Sequence, residues 1–181
     1  MGLCLVPFPV SLPDCLDAAP WQLRAITDAD WPIEQALSSD PEVIRWTMYP
    51  PHMNGERSRE RIGRARQRAQ ERISQRYVIS QGAGCGVGTA GIAIGTFDLP
   101  EVFYALLPQG RGRGAATVAA VALSDWALSL GLTPVLLFTM IGNTTSEAVA
   151  ARAGFTSAGR DVLDHRGQPS AMRRWTRTQT N

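Results

Sequence analysis

The sequence predicts an α/β (α+β) domain with a mixed, mostly antiparallel central sheet of about six or seven strands, flanked by helices. Segments with strand and helix periodicity alternate along the 181 residues. Three strand-like segments, 77–80, 87–97 and 102–107, follow one another with short turns, which favours antiparallel pairing. The continuous apolar run at 133–141 is typical of a strand in the sheet interior.

The amino-terminal part is predicted to hold a strand, two short helices and a loop. Thr27 and Asp30 resemble a capping box at the start of a helix that runs to about residue 37. Asp40 and Pro41 suit the N-cap and first position of a helix that ends near residue 46. The strand covers 21–27, and the consecutive prolines in 47–55 require a loop.

A long amphipathic helix is predicted from Glu56 to Gln75. Its apolar positions recur at helical spacing, and beside them runs a stripe of arginines: Arg57, Arg61, Arg64, Arg68 and Arg72. Glu60 and Glu71 interleave with the stripe as local partners. This pattern favours a solvated helix face, and recognition of an acidic partner is the alternative.

The first glycine cluster, GAGCGVGTAG at 82–91, contains the spacing Gly86-x-Gly88-x-x-Gly91. A dinucleotide-binding fingerprint needs a helix after its glycines, whereas strand-like residues follow Gly91. The cluster is therefore interpreted as a hairpin turn with its flanking strand.

The carboxy-terminal half is predicted as helix, strand, helix and hairpin. Residues 114–130 are apolar around most of the helix, which Gly131 ends, so this helix packs against the sheet. Thr144 and Glu147 resemble a capping box that opens a short helix ending at Gly154. A last hairpin joins 156–160 to 171–178.

The second glycine cluster, PQGRGRGAAT at 108–117, lies between a strand and a helix. Its glycines let several backbone N–H groups turn toward one point, and the helix start adds unpaired donors with a partial positive charge. Arg111 and Arg113 can add contacts to phosphate. The segment lacks the Lys-Ser/Thr ending of nucleotide-hydrolysing loops. A plain turn and an RNA-binding segment are weaker alternatives.

Composition excludes several classes of function. The net charge of +2 does not indicate nucleic acid or membrane as a partner. All eighteen basic residues are arginine, so lysine nucleophiles are excluded. Cys4, Cys15 and Cys85 have neither zinc-site spacing nor the even number of a disulfide framework, so we expect no metal and a cytoplasmic protein.

The domain is expected to cover residues 21–177. Residues 1–20 are apolar but contain several prolines and are too short to span a bilayer. We interpret them as an extended arm over the domain surface, or as an overlong start.

Three segments resemble one known family. The segment at 108–117 resembles the acyl-CoA pyrophosphate loop of the GNAT superfamily of N-acetyltransferases, whose signature is Arg or Gln, two residues, Gly, one residue, then Gly or Ala. It fits from Gln109 or, preferably, from Arg111. EVFYALLP at 101–108 and NTTSEAVAARAGF at 143–155 resemble segments of the RimJ/RimL-like branch.

The resemblance implies a GNAT-like fold with acetyl-CoA as co-substrate. Backbone groups of Leu106 and Leu107 would pair with the pantetheine arm, and Asn143 would contact that arm. The pyrophosphate would be bound by Arg111, Gly112, Arg113, Gly114, Ala115 and Ala116.

The implied reaction is direct attack of a neutral amine on the thioester. Glu101 is the candidate base, with Asp98 second, although both also suit a turn. The resemblance places Ser146 near the thiol, which makes it the candidate acid, with a plain first-turn helix residue as the alternative. The sequence departs from the family here, since the tyrosine that many members carry on that helix is missing. Tyr104 and His52 are candidates for substrate binding, with packing and solvation as their alternatives.

The function expected from this resemblance is transfer of an acetyl group to a primary amine. The acceptor is a protein N-terminus or a small-molecule amine, and the scarcity of acids in the acceptor loops favours a peptide or a weakly charged molecule. The alternative is a catalytically degenerate acyl-CoA-binding or regulatory module of the same fold. The sequence leaves open whether a homodimer forms.

Overall fold

The computed structural model of the protein describes residues 6–82 and 86–179. Its helices are α1 (Trp31–Ser39), α2 (Pro41–Trp46), α3 (Gly55–Gln70), α4 (Ala115–Ser129) and α5 (Thr144–Arg152). Its strands are β1 (Cys15–Ala18), β2 (Trp21–Ala25), β3 (Ser74–Ser80), β4 (Gly88–Ile94), β5 (Pro100–Leu106), β6 (Val135–Met140), β7 (Thr156–His165) and β8 (Gln168–Arg177). None of the helices in these ranges is long and apolar enough to cross a membrane.

The strands form a single mixed sheet in the order β1-β2-β3-β4-β5-β6-β8-β7. Every neighbouring pair is antiparallel except β5 and β6, which are parallel. The predicted fold class is confirmed: a mixed, mostly antiparallel sheet flanked by helices.

The sheet has eight strands among the described residues, where the sequence predicted six or seven. The additional strand is β1, which lies in the segment interpreted as an arm and pairs with β2 through Leu16 and Leu23. Phe8, which precedes β1 in the same segment, is 1% exposed. Its ring meets the Trp126 ring of α4 edge-on, with 5.4 Å between the ring centres. A strand of four residues beside several prolines shows too little alternation to be recognised in the sequence.

The long helix α3 ends earlier than predicted. It runs to Gln70 instead of Gln75, because Arg72 adopts a left-handed backbone conformation with φ of 57°. The chain then enters β3 at Ser74. Arg76 is thereby a strand residue on the sheet.

Helix starts were predicted with mixed success. Thr27 and Asp30 form the predicted capping box, and the Asp40 side chain accepts from the Val43 N–H at 2.9 Å, so both are confirmed. The capping box at Thr144 is wrong, since Asn143 is the N-cap of α5.

Helices cover both faces of the sheet. Helix α4 packs on one face, where Ala119, Leu123 and Ala127 are fully buried against strand residues, as its apolar surface predicted. On the opposite face α1, α2 and the loop after them pack on β5 through residues such as Leu37 and Tyr49. A ligand that passes between two strands can therefore meet groups from both layers.

The first glycine cluster lies partly outside the described residues, because 83–85 are not among them. Gly88 begins β4, and the chain continues as a strand through Gly91. This continuation confirms that no helix follows these glycines.

Candidate active site

A cavity of about 960 Å³ opens where β5 and β6 separate. The two strands share a single bridge, between Glu101 and Leu136, near the start of both strands. Beyond it no pairing between them is found in the described residues, and the walls of the gap are completed by α2, α5 and the start of α4. Unpaired strand edges in such a gap leave backbone groups available to a bound molecule.

The backbone groups at the end of β5 differ in their availability. The Leu107 N–H donates to the Val87 carbonyl at 2.9 Å, and the Leu107 carbonyl accepts from Gly110 at 2.9 Å. Backbone hydrogen-bonding groups of successive residues point to opposite sides of a strand. Since those of Leu107 point toward β4, the backbone groups of Leu106 and Tyr104 point into the gap. Both backbone groups of Leu107, a predicted partner of the cofactor arm, are therefore engaged within the protein. Leu106 lines the cavity.

The segment before α4 presents unpaired N–H groups to the cavity. Gly112 and Gly114 have φ of 71° and 77°, and Gly114 is the N-cap of α4. No side chain caps this helix, and the Val118 N–H donates to the Gly114 carbonyl at 3.0 Å. The N–H groups of 115–117 precede this first helical bond and have no carbonyl to donate to within the helix. This geometry attracts an anion.

The two arginines of this segment hold different positions. Arg111 lines the cavity, but its Nη2 donates to Asp40 Oδ1 at 2.5 Å and to the Leu106 carbonyl at 2.9 Å. Burial opposes ionisation of Asp40, yet hydrogen bonds from Val43 and Arg111 hold the pKa of this carboxyl below its usual range. The Arg113 side chain is held outside the cavity by Gln81, to which it donates at 2.9 Å.

Glu101 lies on the cavity wall at the start of β5. One of its carboxylate oxygens accepts from the Thr96 N–H at 3.2 Å. Burial raises the pKa of Glu101 above its ordinary value, and this hydrogen bond opposes the shift only in part. Asp98, the second candidate, is exposed and lies outside the cavity.

Ser146 and Tyr104 meet across the gap. The Tyr104 hydroxyl of β5 lies 2.7 Å from Ser146 Oγ, in the first turn of α5. Asn143 fixes this turn, because its side chain accepts from the Ser146 N–H at 3.1 Å. Burial raises the pKa of Tyr104 to about 12, so the phenol is a neutral donor at ordinary pH. Since the two residues lie far apart in the sequence, no local spacing could have paired them.

His52 does not belong to this cavity. Its side chain is exposed, and its backbone N–H donates to the Ser38 carbonyl at 2.8 Å. The structure therefore does not bring His52, a predicted substrate-binding residue, together with the other candidates. The histidine that does line the cavity is His165, at the end of β7, whose Nε2 lies 3.0 Å from the Thr47 carbonyl.

Two arginines on the cavity wall were missed by the sequence analysis. Arg61 belongs to the stripe that was assigned to solvent, yet its side chain is 20% exposed and contacts a buried glutamate. Arg76 falls between the predicted helix and the predicted strand; it lies in β3, with a side chain 14% exposed. The end of the helix before Arg72 places Arg76 in the sheet, whereas Arg61 stays within α3 and turns toward Glu34 of α1.

The family profile described as "Acetyltransferase (GNAT) domain" matches residues 22–156. The match covers most of the chain, which therefore belongs to the GNAT acetyltransferase family. The predictions of the family and of the enzyme class are confirmed. No curated protein sequence matches the chain significantly.

Solved structures of several acetyltransferases share the fold. The enzyme that modifies the N-terminal serine of ribosomal protein L7/L12 in Salmonella typhimurium is 18% identical, with a TM-score of 0.77 over 92% of this chain and 99% of that one. The microcin C7 self-immunity acetyltransferase MccE, solved with acetyl-CoA and AMP, is 17% identical, with a TM-score of 0.81 over 93% and 98%.

The spermidine N-acetyltransferase from Vibrio cholerae, solved with CoA and spermine, is 16% identical, with a TM-score of 0.72 over 87% of this chain and 95% of that one. At these identities the likeness shows the fold alone. Two of these enzymes are named for different acceptors, a ribosomal protein N-terminus and spermidine.

Proposed function

We propose that the protein transfers the acetyl group of acetyl-CoA to a primary amine by direct attack. The observation that carries this proposal is the gap between β5 and β6, which has open N–H groups of α4 at one side and Glu101 on its wall. The family match and the CoA or acetyl-CoA bound to relatives of the same fold support it.

In this proposal the cofactor is bound mainly by backbone. The N–H groups of 115–117, with Gly112 and Gly114 beside them, bind the pyrophosphate. Leu106 offers its backbone N–H to the pantetheine arm along the open edge of β5, since its carbonyl already accepts from Arg111. Arg111 shapes the segment through Asp40, and its contact with phosphate is secondary because its guanidinium is already paired.

The chemistry divides between the two layers of the fold. The amine nitrogen forms a bond to the thioester carbonyl carbon, and Glu101 accepts the proton that the nitrogen loses, directly or through water. As the tetrahedral intermediate collapses, the carbon–sulfur bond breaks. The Tyr104 hydroxyl donates to Ser146 Oγ, and the Ser146 hydroxyl donates to the departing thiolate. The thiolate takes the Ser146 proton as Tyr104 passes its own proton to Ser146, and solvent then returns a proton to Tyr104.

We further propose that the protein works in the cytoplasm, since its cysteine content indicates no disulfide framework. The acceptor is the remaining partner, either a protein N-terminus or a small amine. The described chain forms one acetyltransferase domain, with β1 at its edge.

A thiol-release assay tests the proposed function. We expect free CoA thiol to appear when the protein is mixed with acetyl-CoA and an amine panel of N-terminal peptides and small amines. Release must depend on both the protein and the amine. Binding of acetyl-CoA with no thiol released across the panel would contradict the proposal and would favour the degenerate acyl-CoA-binding module.

Removing the hydroxyl pair slows the chemical step. We expect Ser146→Ala and Tyr104→Phe each to lower kcat by roughly tenfold, which is the size of one lost hydrogen bond to a charged group. Acetyl-CoA affinity, measured by calorimetry, should stay near that of the native protein. Ser129→Ala is the control, because this serine lies at the far end of α4 and bonds only to the Trp126 carbonyl. Unchanged kcat in both variants would remove the pair from the mechanism.

A further inference from the structure

A buried charge cluster lies on the acceptor side of the cavity and is unused by the mechanism above. Its centre is Glu34 of α1, whose carboxylate is fully buried. Arg61 Nε lies 2.8 Å from Glu34 Oε2, and Arg76 Nη1 lies 3.6 Å from Glu34 Oε1. The Tyr49 hydroxyl donates to Glu34 at 3.1 Å and bonds Thr89 at 2.7 Å.

The cluster carries an uncompensated positive charge. It has two guanidinium groups and one carboxylate, and both Arg61 and Arg76 line the cavity. Within the described residues Arg76 Nε is buried with no hydrogen-bond partner. Arg76 Nη1 donates to the Tyr49 hydroxyl at 3.0 Å and to Thr89 Oγ1 at 3.4 Å, so its own partners are neutral groups apart from Glu34. An excess cation at the wall of a cavity is stabilised by a bound anion.

The other carboxylates of the cavity do not supply that anion. Glu42 accepts from the Trp46 indole at 2.9 Å, Asp164 accepts from the Gly167 N–H at 3.1 Å, and Glu101 accepts from Thr96. Each is therefore engaged elsewhere. The excess charge of the arginine pair faces the space that an acceptor would occupy.

The arginine pair shares the sheet face of Glu101. Arg76 is opposite Gly91, which is opposite Phe103, and Phe103 is two residues after Glu101 on β5. A Cβ at Gly91 would lie 2.4 Å from Phe103 Cζ, so the missing side chain lets the ring lie across the strand. The Arg76 guanidinium is 5.1 Å from that ring centre. The backbone of β5, which carries Glu101, lies two strand spacings, ~10 Å, from the backbone of β3, which carries Arg76.

From this arrangement we propose that the acceptor is an anionic amine, whose carboxylate or phosphate binds Arg61 and Arg76 while its amine meets Glu101. The anion is carried by a part of the acceptor other than the reacting amine, such as an acidic side chain near a peptide N-terminus. This inference rests on the proposed function and names the substrate class of that site.

Matched tripeptide amides test the inference with the whole protein. The probes are Ala-Xaa-Ala and Ala-Ala-Xaa amides in which Xaa is glutamate, glutamine, phosphoserine or serine. We expect kcat/KM for thiol release to be at least about tenfold higher for an anionic peptide than for its neutral twin. Glutamate and phosphoserine distinguish a carboxylate site from a phosphate site.

Charge variants should shift this preference in opposite directions. Arg61→Gln should lower the ratio of kcat/KM for the anionic peptide to that for its neutral twin toward one. Arg61→Lys should restore part of that ratio. Glu34→Gln should raise the preference, because it removes the negative charge from the cluster, whereas a purely structural role would only lower stability. Arg64→Gln is the control, since this side chain is 65% exposed on the same helix.

The outcomes separate the two proposals. Equal or lower kcat/KM for the anionic peptides in the native protein overturns the inference while leaving acetyl transfer intact. Thiol release with none of the amines overturns the proposed function itself. A preference that survives Arg61→Gln and is unchanged by Glu34→Gln also overturns the assignment to this cluster.

Discussion

We expect the Gly114→Trp variant to lose acetyl-CoA affinity by at least ~100-fold, or about 2.8 kcal/mol at tenfold per 1.4 kcal/mol. Gly114 is the N-cap of α4 and has φ of 77°, a conformation that residues other than glycine adopt with strain. The indole would also project over the N–H groups of 115–117, which we propose to bind the pyrophosphate. Calorimetry with acetyl-CoA measures the loss directly.

Gly131→Trp is a closely matched control for this variant. Gly131 follows the opposite end of α4 and has φ of 75°, and neither glycine has any atom within 4 Å of an added Cβ. Both substitutions should therefore cost a similar ~1–2 kcal/mol of folding stability from backbone strain. Only Gly114→Trp should lose binding. Equal affinity of the two variants would show that the pyrophosphate binds elsewhere.

The Glu101→Gln variant should lose turnover by roughly 10²- to 10⁴-fold, the usual contribution of a positioned general base. Glutamine preserves the shape of the side chain and can still accept from the Thr96 N–H, so acetyl-CoA affinity should change little. Asp98→Asn, in the same turn but exposed, is the matched control and should keep native turnover. Native kcat in Glu101→Gln would assign the base to another group or to water.

The pH dependence of both activity and stability follows from the raised pKa of Glu101. The base works when ionised, so the acid limb of the rate profile should lie above the ordinary glutamate range and should vanish in Glu101→Gln. Protonation is favoured in the folded state, so this carboxyl stabilises the fold at low pH, and that contribution is lost as pH rises through the raised pKa. Glu101→Gln should accordingly have a higher Tm than the native protein at neutral pH, and the difference should shrink in acid.

Much of the fold could be predicted because its signals are local. The apolar circumference of α4 and the apolar run of β6 depend only on neighbours in the sequence. The end of α3 could not be predicted, because the amphipathic sequence pattern continues past Arg72 while its left-handed backbone ends the helix. Strand β1 was missed for a related reason, since its four residues gain stability from pairing with β2 and not from their own pattern.

The candidate site also has features that could be predicted from the sequence and features that could not. The glycines before α4 and the position of Glu101 could be predicted from motif resemblance, because each belongs to one continuous segment. The Tyr104–Ser146 contact and the Arg61–Glu34–Arg76 cluster bring together separate elements through the sheet register. A stripe of arginines in the sequence shows helical spacing but not which member turns inward, because that depends on where α1 packs.

The tip of the last hairpin closes the acceptor wall by contacts with a distant loop. His165 Nε2 meets the Thr47 carbonyl, and Arg166 donates to the carbonyls of Thr47 and Tyr49. Tyr49 is itself part of the charge cluster, so the hairpin tip and the Arg61–Glu34–Arg76 cluster share one contact residue. We expect an acceptor bound at this cluster to stabilise the docked tip and to protect its amides from hydrogen exchange.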